Sequence, residues 1–322
     1  MKNTQHQEQP LFAIAVCTRS RATFDSNCAL GLAELTLPTN FRYAFILVEN
    51  NSAAIESGAN ENISGVQLHH FVEPRHGLTF ARNRALIEAD NLEALWLAFV
   101  DDDARPLPNW ISEFVAVLSE HPQHKFLYGQ YWYHHPEGYS AAFPNDPNDL
   151  DSVKRRQTKF GGGNLLIHLD IFSADRKNLR FDPRFNGCGG EDIDFRRQAT
   201  GAKINPIPVP EAVVIERIEG ERAMLARGIV RHLNHGVSSM LMARKHGSFM
   251  QVTVGMSFHL PKLLIQLILK TGRVVIAHLS LSPSRHQLLG ETLMAGARLL
   301  GICMAIFGYR GGYYTSRPQT RN

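Results

Sequence analysis

The chain has 322 residues, of which 44% are hydrophobic and 20% are charged, as in ordinary folded proteins. The first ten residues, MKNTQHQEQP, are polar and lack the apolar stretch of a secretory signal, and we expect residues 1–10 to be disordered. The four cysteines have no C-x-x-C spacing, which excludes a zinc ribbon or a disulfide framework and favours a cytoplasmic protein.

The formal net charge of +4 is distributed unevenly along the chain. Residues 236–322 contain ten Lys or Arg and one acidic residue, Glu291, whereas residues 1–235 contain 24 basic and 29 acidic residues. A mildly acidic body followed by a basic segment predicts two different regions. We therefore expect one large domain over 11–246 and a separate C-terminal region over 247–322.

Short apolar runs alternate with segments of helical period in the first part of the chain. The strand-like runs are 11–18, 43–50, 66–73 and 95–101, and the helical segments are 22–36, 78–90 and 109–120. The runs show no alternation of apolar and polar residues, which is typical of parallel strands covered on both faces. The pattern predicts a doubly wound, mostly parallel α/β sheet whose ligand site lies at the carboxyl ends of its strands.

After residue 125 the alternation becomes less regular. We predict strands within 126–134, 159–168 and 209–218, a long loop over 135–158, and helices that begin near 191 and at 219. Residues 247–310 are apolar but interrupted, and Lys262, Gln266, Lys270 and Arg273 recur at helical spacing on one face.

The interrupted C-terminal segment contains no continuous apolar run of the roughly 20 residues that a spanning helix needs. Amphipathic helices with a Lys/Arg face are typical of proteins that lie on an anionic membrane surface. Packing on the α/β body, or an oligomer contact, is the alternative explanation. The charges are interleaved with aliphatic rather than aromatic residues, so nucleic acid is not an expected partner.

Three consecutive carboxylates, Asp101, Asp102 and Asp103, follow the apolar run 95–101 directly. A solvated acidic turn before the next helix explains one of them, but not three at the end of a buried strand. Adjacent carboxylates on a loop also suit Mg²⁺ or Mn²⁺, which in turn bind substrate phosphates. We favour the metal site, because other polar residues end neighbouring strands.

Two further motifs carry polar groups at predicted helix starts. In NGCGGEDIDF, Glu191 and Asp192 follow two glycines, and either residue suits a general base, although an acidic first turn is the simpler explanation of this motif alone. In EPRHGLTFARNRAL, Gly77 precedes a helix with Arg82 and Asn83. Such a helix start is typical of sites that bind a phosphate or a nucleotide. An amphipathic helix with a solvated basic face is the alternative explanation.

Taken together and in this order, the motifs resemble the family 2 glycosyltransferases, which are inverting enzymes of the GT-A fold. The matching stretches are AVCTRSR, VENNS, EPRHGLTFARNRAL, FVDDDARPLPNW, FGGGNLLI and GCGGEDIDF, within residues 11–236. The resemblance implies a nucleotide-sugar donor, a Mg²⁺ or Mn²⁺ cofactor, and a saccharide or lipid-linked acceptor. The basic C-terminal segment would then place such an enzyme, as a peripheral protein, on the inner face of the cell membrane, and we expect it to act in cell-surface polysaccharide synthesis.

The resemblance further implies a role for each matched residue. The residues implied to bind the nucleotide sugar are Thr18, Arg19, Glu49, Gly77, Arg82, Asn83, Asp101 and Asp102. Asp103 and Asp101 would serve the metal, and Asp192 would be the catalytic base. The residues implied to contact the acceptor are Gly163, Asn164, Gly190 and Glu191. The family's late histidine is missing, and Arg222 in the matching region is assigned to the diphosphate.

Two other functions fit parts of the pattern. A catalytically silent subunit that binds sugar nucleotides within a polysaccharide assembly complex would keep the fold, but the intact D-x-D and Glu-Asp pair speak against it. A nucleotidyltransferase would normally carry a glycine-rich basic loop after the first strand, and SRATFDSN contains no glycine. The sequence therefore predicts a metal-dependent glycosyltransferase.

Overall fold

The structure is a computed structural model, and it describes residues 9–54, 58–134, 160–217, 225–282 and 285–311. These residues form two compact units. The first contains the described residues up to 134 together with 160–182 and 191–217, and the second contains 183–190 and the described residues from 225 onward. The predicted boundary at 246/247 differs from this division, because the helix that ends at His246 groups with the C-terminal helices.

The first unit is built on a nine-stranded sheet in the order β3-β4-β2-β1-β5-β8-β7-β9-β6. The strands are β1 (Leu11–Thr18), β2 (Arg42–Glu49), β3 (Gly58–Ile63), β4 (Val66–Val72), β5 (Ala94–Asp101), β6 (Ala104–Pro106), β7 (Phe126–His134), β8 (Asn164–His168) and β9 (Ile207–Arg217). The central strands β4, β2, β1 and β5 are parallel, and β7 is parallel to β9. The strands β3, β8 and β6 run antiparallel to their neighbours.

The helices of the first unit are α1 (Arg21–Thr23), α2 (Ala29–Ala33), α3 (Leu78–Asn91), α4 (Trp110–Glu120), α5 (Leu169–Phe172) and α6 (Glu191–Gly201). A π-helical turn, Phe24–Cys28, joins α1 to α2, so the single helix predicted over 22–36 is shorter and irregular. The sequence pattern also missed the short strands β3 and β6. The predicted loop over 135–158 and the start of the helix predicted at 219 lie outside the described residues.

Both faces of the sheet are buried, as expected for strands without an exposed side. On β1, Phe12 and Ile14 join one apolar cluster that contains Phe24 and Trp110, and Ala13 and Ala15 join another. The second cluster is covered by the alanines of α3 and by the aromatic rings of Phe181 and Phe195. Each fully buried large side chain contributes about 1.5–3 kcal/mol to folding. This two-sided core confirms the predicted α/β class and holds the carboxyl ends of β1, β2 and β5 in register.

The second unit consists mainly of three helices, α7 (Leu225–His246), α8 (Phe249–Leu279) and α9 (Arg285–Ile306). The helices α7 and α9 approach closely through glycines, because a Cβ on Gly236 would lie 2.1 Å from the Arg298 carbonyl oxygen. A Cβ on Gly301 would likewise lie 1.9 Å from the carbonyl oxygen of Leu233. At the end of α9, Arg244 donates hydrogen bonds to the carbonyls of Ala305 and Ile306 at 3.0 and 3.2 Å.

Candidate active site

Polar residues end three adjacent parallel strands at one edge of the sheet. Thr18 at the end of β1 pairs in register with Glu49 at the end of β2, and Cys17 pairs with Asp101 at the end of β5. The Thr18 hydroxyl also lies 2.6 Å from an Asp102 carboxylate oxygen. The convergence that the sequence predicted is therefore present, and it lies where α/β sheets bind ligands.

A buried arginine from α3 joins two of the predicted motifs. The guanidinium of Arg82, whose residue is 3% exposed, donates to Glu191 at 2.8 Å and to Asp101 at 3.1 Å. Burial lowers the pKa of Arg82, but the carboxylates of Asp101 and Glu191 outweigh burial and raise it overall. Its guanidinium carbon also lies 5.5 Å from the centre of the Phe181 ring. The triple-Asp and Glu-Asp motifs, far apart in sequence, are thus held in one site.

This geometry gives Arg82 a different position from the one that the resemblance implied. The guanidinium of Arg82 is not presented to a nucleotide base. It donates hydrogen bonds to two protein carboxylates. The side chain of Asn83 also bonds within the protein: its amide donates to the Phe181 carbonyl and accepts from the Phe181 N–H, both at 2.8 Å. Within this structure both side chains position other parts of the site.

The three glycines of 161–163 each lie against a different side chain of the site. An added Cβ would lie 2.8 Å from the Tyr131 ring at Gly161, 2.3 Å from the Arg82 guanidinium at Gly162, and 1.9 Å from the Asp101 carboxylate at Gly163. No side chain fits at these distances without displacing its neighbour. The turn therefore allows the backbone to cover Arg82 and Asp101 closely.

Asn164, predicted to contact the acceptor, is completely buried. Its amide accepts from the Trp110 indole N–H at 2.8 Å and donates to the carbonyls of Gln130 at 2.9 Å and Ala212 at 3.0 Å. These bonds tie β8 to β7, β9 and α4. The finding corrects the predicted role, because all the polar atoms of this amide serve the interior of the sheet.

The sequence interpretation gave no role of its own to Asn50, which shapes the loop before α3. Its buried amide donates to the carbonyls of Glu73 at 2.9 Å and Arg75 at 2.7 Å, and accepts from the Gly77 N–H at 2.8 Å. Gly77 has φ of +135°, which a residue with a side chain rarely adopts. The signal was present in the VENNS stretch, where a short amide follows a buried strand. Such a residue commonly bonds to nearby backbone groups.

Two carboxylates near this loop have basic partners. Arg75 pairs with Glu73 through two contacts of 2.8 Å, and this pairing lowers the pKa of Glu73. Glu49, predicted to bind the nucleotide, is buried, and its Oε2 lies 3.3 Å from Nε2 of the buried His70.

Glu191 and Asp192 form the first turn of α6, as predicted. Burial raises the pKa of Glu191 to about 7, and the neighbouring charge of Asp192 adds to this shift while Arg82 opposes it. Asp192 is only half-buried, and its Oδ1 accepts from the Ile193 N–H at 2.7 Å. Its charge also raises the pKa of Asp101, after the larger effects of burial and of the neighbouring Asp103. Asp192 is therefore near Asp101 and more accessible than Glu191.

The remaining predicted residues differ in how they are placed. Arg19 follows β1 and is exposed. Gly190 belongs to the second unit, where it has φ of +89°. An added Cβ there would lie 3.2 Å from Ser238. Arg222 lies outside the described residues.

The carboxylate oxygens of the triple-Asp turn are suitable ligands for a hard divalent cation. Asp101 and Asp103 are carboxylates at the open end of β5, and Mg²⁺ and Mn²⁺ prefer such oxygens. The described residues contain no group of three or more His, Cys, Asp or Glu that could hold a metal by themselves. An ion at this turn would therefore need further ligands from substrate phosphates or water, as is usual for Mg²⁺.

Comparison with known proteins supports the resemblance drawn from the motifs. Residues 21–168 match the family model for glycosyl transferase family 2. This match covers just under half of the chain, and it includes α3, the triple Asp and the glycine turn. It ends before Glu191 and Asp192. A search of curated proteins found no match.

The fold is shared with a solved mannosyltransferase. The mannosyltransferase PcManGT from Pyrobaculum calidifontis, in complex with GDP-Man and Mn²⁺, is 15% identical with a TM-score of 0.60, over 94% of this chain and 88% of that one. TarS 1-349 from S. aureus is 13% identical with a TM-score of 0.46, over 92% of each chain. The likeness to the mannosyltransferase, with the family match, confirms the predicted GT-A type of α/β fold.

Proposed function

We propose that this protein is an inverting, metal-dependent glycosyltransferase that moves a sugar from a nucleotide-sugar donor to a hydroxyl of a saccharide or lipid-linked acceptor. The observation that carries the proposal is the buried bridge of Arg82 between Asp101 and Glu191. This bridge brings a carboxylate of the predicted donor site next to the turn that carries the predicted base. The family match over 21–168 and the shared fold support the same reaction class.

On the donor side, the polar ends of β1 and β2 would bind the nucleoside. Thr18 and Glu49 lie side by side there, and the Thr18 hydroxyl is also in contact with Asp102. Asn50 fixes the loop to Gly77, which would close one side of this pocket. Arg82 and Asn83 would act indirectly, Arg82 by positioning Asp101 and Asn83 by fixing the backbone of Phe181.

Asp103, together with Asp101, would hold the divalent cation. When bound, a Mg²⁺ or Mn²⁺ ion would supply positive charge to the donor diphosphate. Arg82 would favour the ionised form of Asp101, because the guanidinium opposes the rise in pKa that desolvation causes.

Asp192 would act as the general base. Its carboxylate would accept the proton of an acceptor hydroxyl while that oxygen forms a bond to the anomeric carbon. The bond from the anomeric carbon to the diphosphate oxygen would break in the same displacement, and its electron pair would leave with the nucleoside diphosphate. A single displacement inverts the configuration at the anomeric carbon. Glu191, paired with Arg82, would hold the first turn of α6 in place.

The basic, apolar C-terminal segment supports a second part of the proposal. We infer that the enzyme works as a peripheral protein on the cytoplasmic face of the cell membrane, in cell-surface polysaccharide synthesis. An anionic membrane surface would concentrate a protein whose residues 236–322 carry a formal charge of +9. Lipid-linked acceptors would be found at the same surface.

The donor is tested by measuring thermal unfolding with a panel of nucleotide sugars, including GDP-mannose, with Mn²⁺ or Mg²⁺. A ligand present at one hundred times its dissociation constant stabilises the folded state by about 2.7 kcal/mol. We expect one nucleoside class to raise the unfolding temperature of the wild type only when a metal is present. Asp103→Asn should abolish this rise, and Asp175→Asn, which changes an exposed carboxylate elsewhere, should not. Stabilisation by no donor would contradict the proposal.

The base is tested with the donor found in that screen. We expect Asp192→Asn to retain donor-dependent stabilisation but to lose transfer by at least about a hundredfold, the lower range for a general base. Full transfer by this variant would exclude Asp192 as the base. Donor binding by the wild type without turnover on any saccharide or lipid-linked acceptor would favour the alternative function, a catalytically silent binding subunit.

A further inference from the structure

The helix α8 exposes an apolar surface along most of its described length. The apolar face of α8 is defined by six side chains that are each at least half exposed, namely Phe258, Ile265, Ile268, Val275, Ile276 and Leu279. At 100° per residue these positions fall on one side of the helix. Soluble monomers rarely expose contiguous apolar patches of this kind, and larger ones mark interaction sites.

The opposite side of α8 is already used for packing within the second unit. Leu260, Leu263, Leu267, Val274 and Ala277 are all at least partly buried and recur at spacings of three, four and seven residues. This stripe faces α9, because a Cβ on Gly296 would contact Leu267 and because Lys270 pairs with Glu291 at 3.2 Å. The apolar face of α8 is therefore a separate surface and does not serve the contact between these helices.

A basic stripe lies along one flank of the apolar face. Lys262, Gln266 and Arg273 are exposed and fall between the packed side and the apolar face. Lys and Arg beside an apolar surface extend their charged groups toward phosphates while their methylene stems remain in apolar surroundings. With ten basic residues and one acidic residue, the region 236–322 as a whole carries a positive net charge. The chemistry of this surface is complementary to an anionic lipid interface.

The neighbouring helix α9 is also apolar, but it packs against α7. Within the described residues, its segment Leu288–Ile306 is the one stretch long and apolar enough to cross a membrane, with a mean hydropathy of 1.4. However, Gly301 of α9 lies against the backbone of α7, and Arg244 of α7 binds the end of α9. These contacts pack one side of α9 within the second unit. The helix also exposes Leu293 and Leu300, at 42% and 53%, but less than most side chains of the apolar face of α8 are exposed.

We propose that α8 lies in the plane of an anionic phospholipid bilayer, with its apolar face among the acyl chains and Lys262 and Arg273 at the phosphates. With 31 residues, α8 is about 46 Å long, which gives an extended line of contact rather than a single anchor point. An interfacial helix of this type inserts roughly 5–10 Å below the headgroups. The proposal concerns binding alone, so it can fail or succeed independently of the transferase reaction.

The test is flotation of the full chain with vesicles of phosphatidylcholine alone or mixed with phosphatidylglycerol. We expect the wild type to float with the anionic vesicles and to be released by alkaline carbonate. The variant Ile265→Ser/Ile268→Ser/Ile276→Ser should bind at least about a hundredfold more weakly, since each lost isoleucine removes several buried methylenes. Lys262→Gln/Arg273→Gln should bind anionic vesicles about thirtyfold more weakly, because each of the two lost cations contributes about 1 kcal/mol.

The matched control is Leu30→Ser/Ile87→Ser, which removes two exposed apolar side chains of the first unit and should float like the wild type. Circular dichroism and the midpoint of thermal unfolding without donor verify that each variant is folded. Equal flotation of the triple variant and the wild type would overturn the proposal. Retention after carbonate would overturn it in favour of a helix that spans the bilayer. Loss of a dimer in sedimentation, with flotation unchanged, would show that a second copy occupies the face.

Discussion

At the scale of single residues, Arg82 has the most consequential placement in the site. Its guanidinium is almost completely buried and is the counter-charge for both Asp101 and Glu191. Removing one member of a buried charge network leaves the others desolvated and unpaired, which costs far more than losing an exposed pair. Arg82 thus stabilises the fold and also sets the charge state of the site.

We expect Arg82→Met to lower the free energy of unfolding by about 3–5 kcal/mol, as for other broken buried ion pairs. Arg84→Met is the matched control on the same helix, because Arg84 is partly exposed and pairs with Glu88 four residues away. Its loss should cost about 1 kcal/mol or less. Urea unfolding of the three proteins measures both values, and similar losses for the two variants would contradict this role for Arg82.

The raised pKa of Glu191 predicts how the stability of the fold changes with pH. Its pKa of about 7 lies above the ordinary 4.5, so between these values the folded state holds more protons than the unfolded state. Stability attributable to this group therefore falls as the pH rises from about 4.5 to about 7. In metal-free buffer, the unfolding free energy of the wild type relative to Glu191→Gln should decline across this window and then level off. Parallel curves for the two proteins would disprove the shift.

Single residues were also where sequence interpretation was weakest. The motifs correctly indicated which stretches meet, but Arg82, Asn83 and Asn164 each had several chemically reasonable partners. Which partner a buried amide or guanidinium takes depends on tertiary neighbours that are distant in sequence, such as Phe181 for Asn83. Asn50 was given no role because a short amide after a strand indicates a bond to the backbone but does not identify which backbone groups it binds.

At the scale of elements, the long apolar runs were predicted well and the short pieces were not. The strand β1 was predicted at its observed bounds, since a continuous apolar run buried on both faces has one stable arrangement. The edge strand β3 and the three-residue β6 were missed, because such short strands depend on pairing with β4 and β9 more than on their own residues. The irregular π-helical turn at Phe24–Cys28 likewise has no periodic signal.

The glycine turn before β8 gives a prediction at this scale. In Gly163→Ala the new methyl group would overlap the Asp101 carboxylate, so one of the two must move. We expect the variant to keep its far-ultraviolet circular dichroism, to lose about 1–3 kcal/mol of stability from overpacking, and to lose metal-dependent donor binding.

The matched control for the glycine turn is Gly201→Ala, at the end of α6, where an added Cβ meets nothing within 4 Å. This change should leave donor binding intact and alter stability by about 1 kcal/mol at most, in the favourable direction. Thermal shift with and without donor measures both variants. Donor binding that survives in Gly163→Ala would show that Asp101 can move without cost to the site.

At the scale of the whole molecule, charge is divided between an acidic and a basic part of the chain. Residues 1–235 carry a formal charge of −5, and residues 236–322 carry +9. This division was readable from the sequence, because counting charges requires no knowledge of contacts. The exposed apolar face of α8 was not, because the same periodic pattern allows either packing or exposure.

The charge division predicts two different responses to salt. Attraction between the basic region and anionic vesicles should weaken strongly as ionic strength rises, since exposed charges are screened beyond about 8–10 Å at physiological salt. Donor binding next to the buried Arg82 should change much less, because buried charges are poorly screened. Flotation and thermal shift over the same salt series measure the two responses. Equal sensitivity of both would contradict the assignment of separate surfaces.

The glycines at 161–163 have a practical meaning for anyone who wishes to re-engineer this protein. Each of the three backbone positions is closed by a different neighbour, an aromatic ring, a guanidinium and a carboxylate. A library that randomises this stretch alone should return mostly the parental residues among its active members. New specificities would have to be sought by first trimming Tyr131, because its ring, unlike the guanidinium and the carboxylate, carries no charge at neutral pH.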